Sequence, residues 1–182
     1  MSRLSNSLTG SLVIFISGCY VLGVLQPLIV DQFMINSFAV KNGEYYRLFT
    51  VALTHGGIFH LLFNMMAFYS LGIPIENFYG RTRYVIILLA SLLAGSTFSV
   101  YLNSNPTYAV GASGMIFGLF GALAITGKRM GADYRSILTL VGINLAMPLI
   151  ISNIDWRAHI GGFIGGILAT LVIKPTRREY LS

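Results

Sequence analysis

Charge is what this sequence has least of: Asp, Glu, Lys and Arg make up 10% of its 182 residues, while 55% are hydrophobic. A soluble globule of this size carries about 25% charged residues. The chain therefore has too little polar surface to face water all round, and a bilayer must replace it. Acidic residues are scarcer still, 6 against 12 Lys and Arg, for a formal charge of +6. That excess does not describe a nucleic-acid surface, because the basic residues lie between apolar runs and form no basic face. Cys19 is the only cysteine, which excludes an intrachain disulfide and a cysteine-built zinc site; in mid-run it is a small packing residue. No internal repeat, low-complexity tract or Gly-rich phosphate loop followed by Lys-Ser or Lys-Thr occurs, so nucleotide-driven transport has no support.

Six apolar runs remain, at approximately 8–30, 59–74, 82–102, 113–127, 135–152 and 158–174. Their lengths are read at about 1.5 Å per residue against a hydrocarbon core of about 30 Å. The expectation is an all-α membrane protein, one six-transmembrane-helix domain spanning 1–182. Only the first connection is long. Residues 31–58 mix Lys41, Glu44 and Arg47 with Phe38, Tyr45, Tyr46, Leu48 and Phe49, which suits an amphipathic segment in the membrane interface. Sorting the basic residues onto alternate sides puts Arg3, Arg81, Arg83, Lys128, Arg129, Arg135, Lys174, Arg177 and Arg178 together, against Lys41, Arg47 and Arg157. Both termini are therefore expected in the cytoplasm. The first run is longer than a signal-peptide core and reads as a retained anchor; because the chain is minimal and shows no transit peptide, the bacterial plasma membrane is the expected location.

Polar side chains at bilayer depth are costly, and each is a functional-site hypothesis. The first group is Gly111-Ala112-Ser113-Gly114, which opens the fourth run after the turn-forming stretch from Asn103 to Pro106. Ser113 then sits at a helix N-terminus, where unpaired N–H groups and partial positive charge favour a developing oxyanion. Gly111 and Gly114 remove bulk beside the hydroxyl, and let a substrate backbone approach. The second group is His159 with Gly161, Gly162, Gly165 and Gly166, two overlaid Gly-x-x-x-Gly pairs that allow close helix packing. If that glycine face meets Gly114, Gly118 and Gly121, His159 comes within reach of Ser113. It can then serve as base for the hydroxyl and acid for the leaving amine. Asp155 is assigned to the outer loop, so the simpler system has two residues. The third group is His60 and Asn64, four apart on one helical face and able to donate to an oxyanion with the N–H of Ser113. His55 is expected to order the loop near the surface.

These residues carry a resemblance. Tyr46-Arg47 in a long first loop, His60-x-x-x-Asn64, Gly111-Ala112-Ser113-Gly114, and Ala158-His159 followed by Gly162 and Gly166 are similar, in order and topology over nearly the whole chain, to the rhomboid proteases. The resemblance implies Ser113 as nucleophile, His159 as base, and His60, Asn64 and Gly111 around the oxyanion. Gly114, Phe117, Gly162 and Gly166 serve substrate approach and packing. It also implies that Glu76, after the second run, ties cytoplasmic ends together, and that Phe117 stacks on His159 where many bacterial relatives have tyrosine.

The activity so implied is hydrolysis of peptide bonds in or near transmembrane segments of other proteins, which must unwind locally to expose a scissile carbonyl. The partners are such substrates and the lipid bilayer, with no nucleic acid, nucleotide, metal or organic cofactor. A catalytically silent rhomboid-like protein that binds membrane clients is the alternative; it is expected to lack Ser113 or His159, and both are present. A transporter or channel is disfavoured because no Asp, Glu, Lys or Arg lies in mid-run.

Overall fold

The computed structural model describes residues 7–103, 106–131, 133, 135, 139, 142 and 154–175. The fifth expected span, 135–152, lies almost wholly outside the described residues, as do Arg3, Arg177 and Arg178. In chain order the elements are α1 (Leu8–Leu25), α2 (Pro27–Phe33), β1 (Ile35–Asn36), α3 (Ser37–Lys41), α4 (Arg47–Thr50) and a 3₁₀ turn (Val51–Leu53). There follow α5 (Ile58–Tyr79), α6 (Arg81–Tyr101), β2 (Tyr108–Ala109), α7 (Ser113–Thr126) and α8 (Trp156–Val172).

Among these, α1, α5 and α6 are long and apolar enough to cross a membrane. The chain is an integral membrane protein of helical build, with its apolar side chains divided between two solvents. Ile14, Phe15, Phe59, Phe63 and Val172 point outward, whereas Phe68, Ile75, Tyr79, Tyr84 and Leu119 are fully enclosed. Helix α7 has 14 residues, about 21 Å at 1.5 Å per residue, well short of a hydrocarbon core of about 30 Å.

Several boundaries differ from the sequence expectation. The first run does not continue to residue 30 as one helix: α1 stops at Leu25, Gln26 takes φ −135°, and Pro27 opens α2. Proline lacks the N–H that would continue α1, but suits the first position of a new helix. The second run does not end at residue 74. Helix α5 carries Pro74 internally and ends only where Gly80 takes φ +75°. The fold is also not purely helical, because β1 and β2 form an antiparallel ribbon with Ile35 opposite Ala109 and Asn36 opposite Tyr108. Two-residue strands separated by some 70 positions leave no periodic signal.

The long first connection is tied down by Arg47. Its guanidinium donates to the carbonyls of Asp31 (2.6 Å) and Met34 (2.9 Å) and to Glu44 (2.7 Å). The same guanidinium holds the Glu44 carboxyl below its ordinary range. The cationic side chain is 8% exposed because each bond replaces one it would have made to water.

Glu76 lies in the last turn of α5 rather than after it, and does more than pair with Arg81 (3.6 Å). Its carboxylate accepts from the backbone N–H groups of Leu8 and Thr9 (both 2.8 Å) and from the Thr9 hydroxyl (2.7 Å). Helix α1 opens with unpaired N–H groups, and a carboxylate from a neighbouring helix caps them with favourable charge. This fastens the start of α1 to the end of α5.

Helix α8 packs chiefly on α6 and α7, backbone against backbone. A Cβ on Gly162 or Gly166 would strike the carbonyl of Gly114 or Gly118 on α7. On the neighbouring face, one on Gly161 or Gly165 would meet the carbonyls of Ala94 and Ala90 on α6 at 2.6 and 2.8 Å. Two glycine pairs on one helix thus contact two different helices.

Candidate active site

Two close-packed helices bring together residues that are 46 positions apart: His159 Nε2 lies 3.0 Å from Ser113 Oγ. Ser113 is the first residue of α7, preceded by Gly111 at φ +119° and by Ala112, whose side chain cannot cap the helix. The Gly111 N–H donates to the Val51 carbonyl at 3.1 Å, which holds the turn against the first connection. A left-handed φ at that turn favours glycine. Space requires it too, because a Cβ there would lie 2.9 Å from His60 Cε1.

His159 lies one turn into α8 and is 8% exposed. Its ring stacks on Phe117 with centroids 4.0 Å apart and planes 10° from parallel. The second ring nitrogen, Nδ1, has no hydrogen-bond partner among the described residues. Asp155 is not a loose outer-loop residue. It is the N-cap of α8, with one oxygen accepting from the Ala158 N–H (3.2 Å) and the other from the Ser99 hydroxyl. With both oxygens engaged there, it does not orient the imidazole through Nδ1.

His60 and Asn64 line the same cavity as Ser113 and His159, a space of about 660 Å³ that also reaches Gly111, Gly114 and Phe117. The Asn64 amide nitrogen donates to the His60 carbonyl at 2.9 Å, and its Oδ1 has no partner among the described residues. One of its two N–H bonds is therefore spent within α5 and the other is left for the cavity. The imidazole of His60 lies against Gly111 on one side and His55 on the other, edge to face with ring centroids 5.2 Å apart. His55 sits in the loop before α5 but is enclosed, 5% exposed, and neither ring nitrogen has a hydrogen-bond partner among the described residues. Burial, with the nearby His60 adding to it, pushes its pKa down to about 4.

The sign of the pH effect follows directly. The unfolded imidazole takes up a proton below about pH 6.5, the folded one only near pH 4. Between those values the unfolded chain binds more protons, so stability falls as pH falls through that window and is flat above it. The loss should reach on the order of 2–3 kcal/mol. Thermal unfolding in detergent should be less pH-dependent between pH 6.5 and 4 in a His55→Gln variant than in the parent; identical slopes would exclude this origin.

Taken together, a hydroxyl next to a basic nitrogen, at a helix start and beside unspent N–H donors, can carry out acyl transfer. No group of three or more His, Cys, Asp or Glu is placed to hold a metal ion among the described residues. Sequence reading did not give Ser99 or the Gly111–Val51 contact any role. Asp155 was open to a better reading, since Asp three residues before Ala158 and just ahead of an apolar run is an N-cap signature.

The Rhomboid domain family model matches residues 42–176. Rhomboid protease GluP of Bacillus subtilis (strain 168) is 39% identical over 139 residues, 74% of this chain and 27% of GluP. The protein YdcA of the same organism is 34% identical over 151 residues, 79% of this chain and 75% of YdcA. RHOMBOID-like protein 1 of Arabidopsis thaliana is 37% identical over 148 residues, 76% of this chain and 38% of that protein. The chain thus spans well under half of two of these three relatives. A family match over some three-quarters of its length, enclosing every residue of the site just described, shows that the chain belongs to the rhomboid family.

Proposed function

We propose that this rhomboid is an intramembrane serine endopeptidase that hydrolyses peptide bonds in or near the transmembrane segments of other membrane proteins. Ser113 is the nucleophile, His159 the general base and then the acid. His60, Asn64 and the backbone N–H of Ser113 stabilise the oxyanion, and Gly111 shapes the turn that presents Ser113. The observation that carries this reading is the 3.0 Å approach of His159 Nε2 to Ser113 Oγ. It occurs at the start of a helix too short to span the bilayer, beside a cavity large enough for a peptide segment.

The steps follow from the residues. His159 takes the Ser113 proton as Oγ attacks the carbonyl carbon, and the oxyanion draws on the free N–H donors of α7 and on His60 and Asn64. The imidazolium returns the proton to the leaving amine, and water admitted to the cavity hydrolyses the acyl-enzyme by the same base. Stacking on Phe117 keeps the imidazole plane fixed through both proton transfers. We further assign the chain a single six-span domain, both termini in the cytoplasm and a place in a bacterial plasma membrane. The basic residues that flank the apolar runs support this arrangement.

A fluorophosphonate probe should modify Ser113 in liposomes and block cleavage of a tagged single-span substrate. Modification elsewhere with cleavage intact would remove Ser113 from the role. No cleavage across a panel of substrates would turn the reading toward a client-binding rhomboid.

A further inference from the structure

The base of a serine hydrolase is ordinarily aimed by a third group bonded to its far nitrogen. Here Nδ1 of His159 has no partner among the described residues, and other contacts among them aim the ring. The Phe117 stack fixes the plane of the ring but leaves it free to slide. What remains is the position of the helix start from which the ring projects.

That start is pinned to α6 by two bonds. Asp155 caps α8 through the Ala158 N–H and accepts from the hydroxyl of Ser99, a residue with no solvent exposure. Just past the end of α6, Asn103 accepts from Arg157 at 2.8 Å and donates back to the Ser99 carbonyl at 2.8 Å. Below these contacts α6 touches both partners of the site. A Cβ on Gly95 would lie 2.8 Å from the Ala158 carbonyl and 3.3 Å from the Gly114 Cα. Helix α6 therefore acts as the common wall against which the helices carrying Ser113 and His159 are registered.

We propose that Asp155, latched to Ser99, is a positioning residue that sets His159 against Ser113. A hydroxyl-to-carboxylate bond in a partly enclosed site is charge-assisted and directional, and the cap fixes the first turn of α8. His159 is four residues after Asp155, and its N–H is bonded to the Asp155 carbonyl at 3.3 Å. The inference rests on the serine-protease reading, because it concerns the alignment of that pair.

The test compares the full-length parent in liposomes with Asp155→Ala, Asp155→Asn, Ser99→Ala and, as a control on the reading itself, Ser113→Ala. A misplacement on the order of 1 Å can cost about 100-fold. Asp155→Ala should therefore lower kcat roughly 10- to 100-fold with KM changed less than about two-fold. Ser99→Ala should lose roughly 5- to 10-fold, because the cap survives. Asp155→Asn should return kcat to within about three-fold of the parent, since its amide can accept from Ala158 and donate to Ser99. Fluorophosphonate labelling rates should follow the same order. Parent-like kcat in Asp155→Ala overturns the proposal. So does an Asn variant as slow as the Ala variant, which would assign the role to charge, or a rise in KM alone, which would assign it to substrate contact. If Asp155→Ala does not fold, Ser99→Ala and Asp155→Asn decide. Cleavage surviving in Ser113→Ala would instead remove Ser113 as the nucleophile, and with it the Ser113–His159 reading.

Discussion

Cleavage of a single-span substrate in liposomes should fall at least about 1,000-fold in Ser113→Ala and in His159→Ala, and the double variant should be no slower than either single one. The non-additivity is the sharper part of the expectation. In the proposed mechanism the hydroxyl is a weak nucleophile until the imidazole 3.0 Å away takes its proton, and the imidazole has no proton to take once the hydroxyl is gone. Each substitution therefore removes the same step. Ser113→Ala deletes one oxygen at a helix start and should leave thermal stability unchanged within about 0.5 kcal/mol. His159→Ala strips the Phe117 ring of its stacking partner and should cost about 1 kcal/mol or more. Effects that multiply in the double variant would mean that the two residues serve different steps. Cleavage retained in both single variants would require another nucleophile.

The second large effect is on folding. Gly162→Ala and Gly166→Ala should each destabilise the chain by about 3 kcal/mol, seen as a fall of about 10 °C in the unfolding midpoint. The added methyl has nowhere to go, because its neighbours at these positions are the backbone carbonyls of Gly114 and Gly118, and a helix cannot yield as a flexible side chain can. In the folded fraction α8 must move off α7, which lengthens the Ser113–His159 approach, so activity should fall further than stability accounts for. Gly18→Ala is the control: a Cβ there meets nothing within 4 Å on α1, and replacing a helical glycine with alanine should be neutral or stabilising by up to about 1 kcal/mol. Equal effects at Gly18 and Gly162 would show that helix propensity, rather than backbone contact, is being measured.

The site was more legible than the fold around it. A polar residue inside an apolar run stands out against its own background, so Ser113, His159, His60 and Asn64 could be singled out one by one, and family motifs supplied their order. Helix boundaries were less legible. Pro74 suggested an end to α5, yet the helix runs on to Tyr79 because its terminus is set by Gly80 at φ +75°. The packed surroundings outweigh the proline's missing N–H. His55 was placed by its position in the loop ahead of the second run, which did not reveal that its ring is enclosed against His60. Glu76 does tie two helix ends together, as the resemblance implied, but the N–H groups it caps belong to residues 67 and 68 positions earlier, which no local pattern names.

What the sequence determined by itself is therefore what depends on composition and local pattern. It set the membrane as solvent, through a shortage of charge that no fold can repair. It placed glycines at helical spacing, and it set the chemical types available at bilayer depth. What only the tertiary structure decided is which of these groups meet. Ser113 and His159, Asp155 and Ser99, and Ile35 and Ala109 are each separated by 46 or more positions. Their encounter depends on packing: glycine spacing suggested that α8 could meet Gly114 and Gly118, but only the folded chain seats Gly162 and Gly166 on those carbonyls while Gly161 and Gly165 rest on α6.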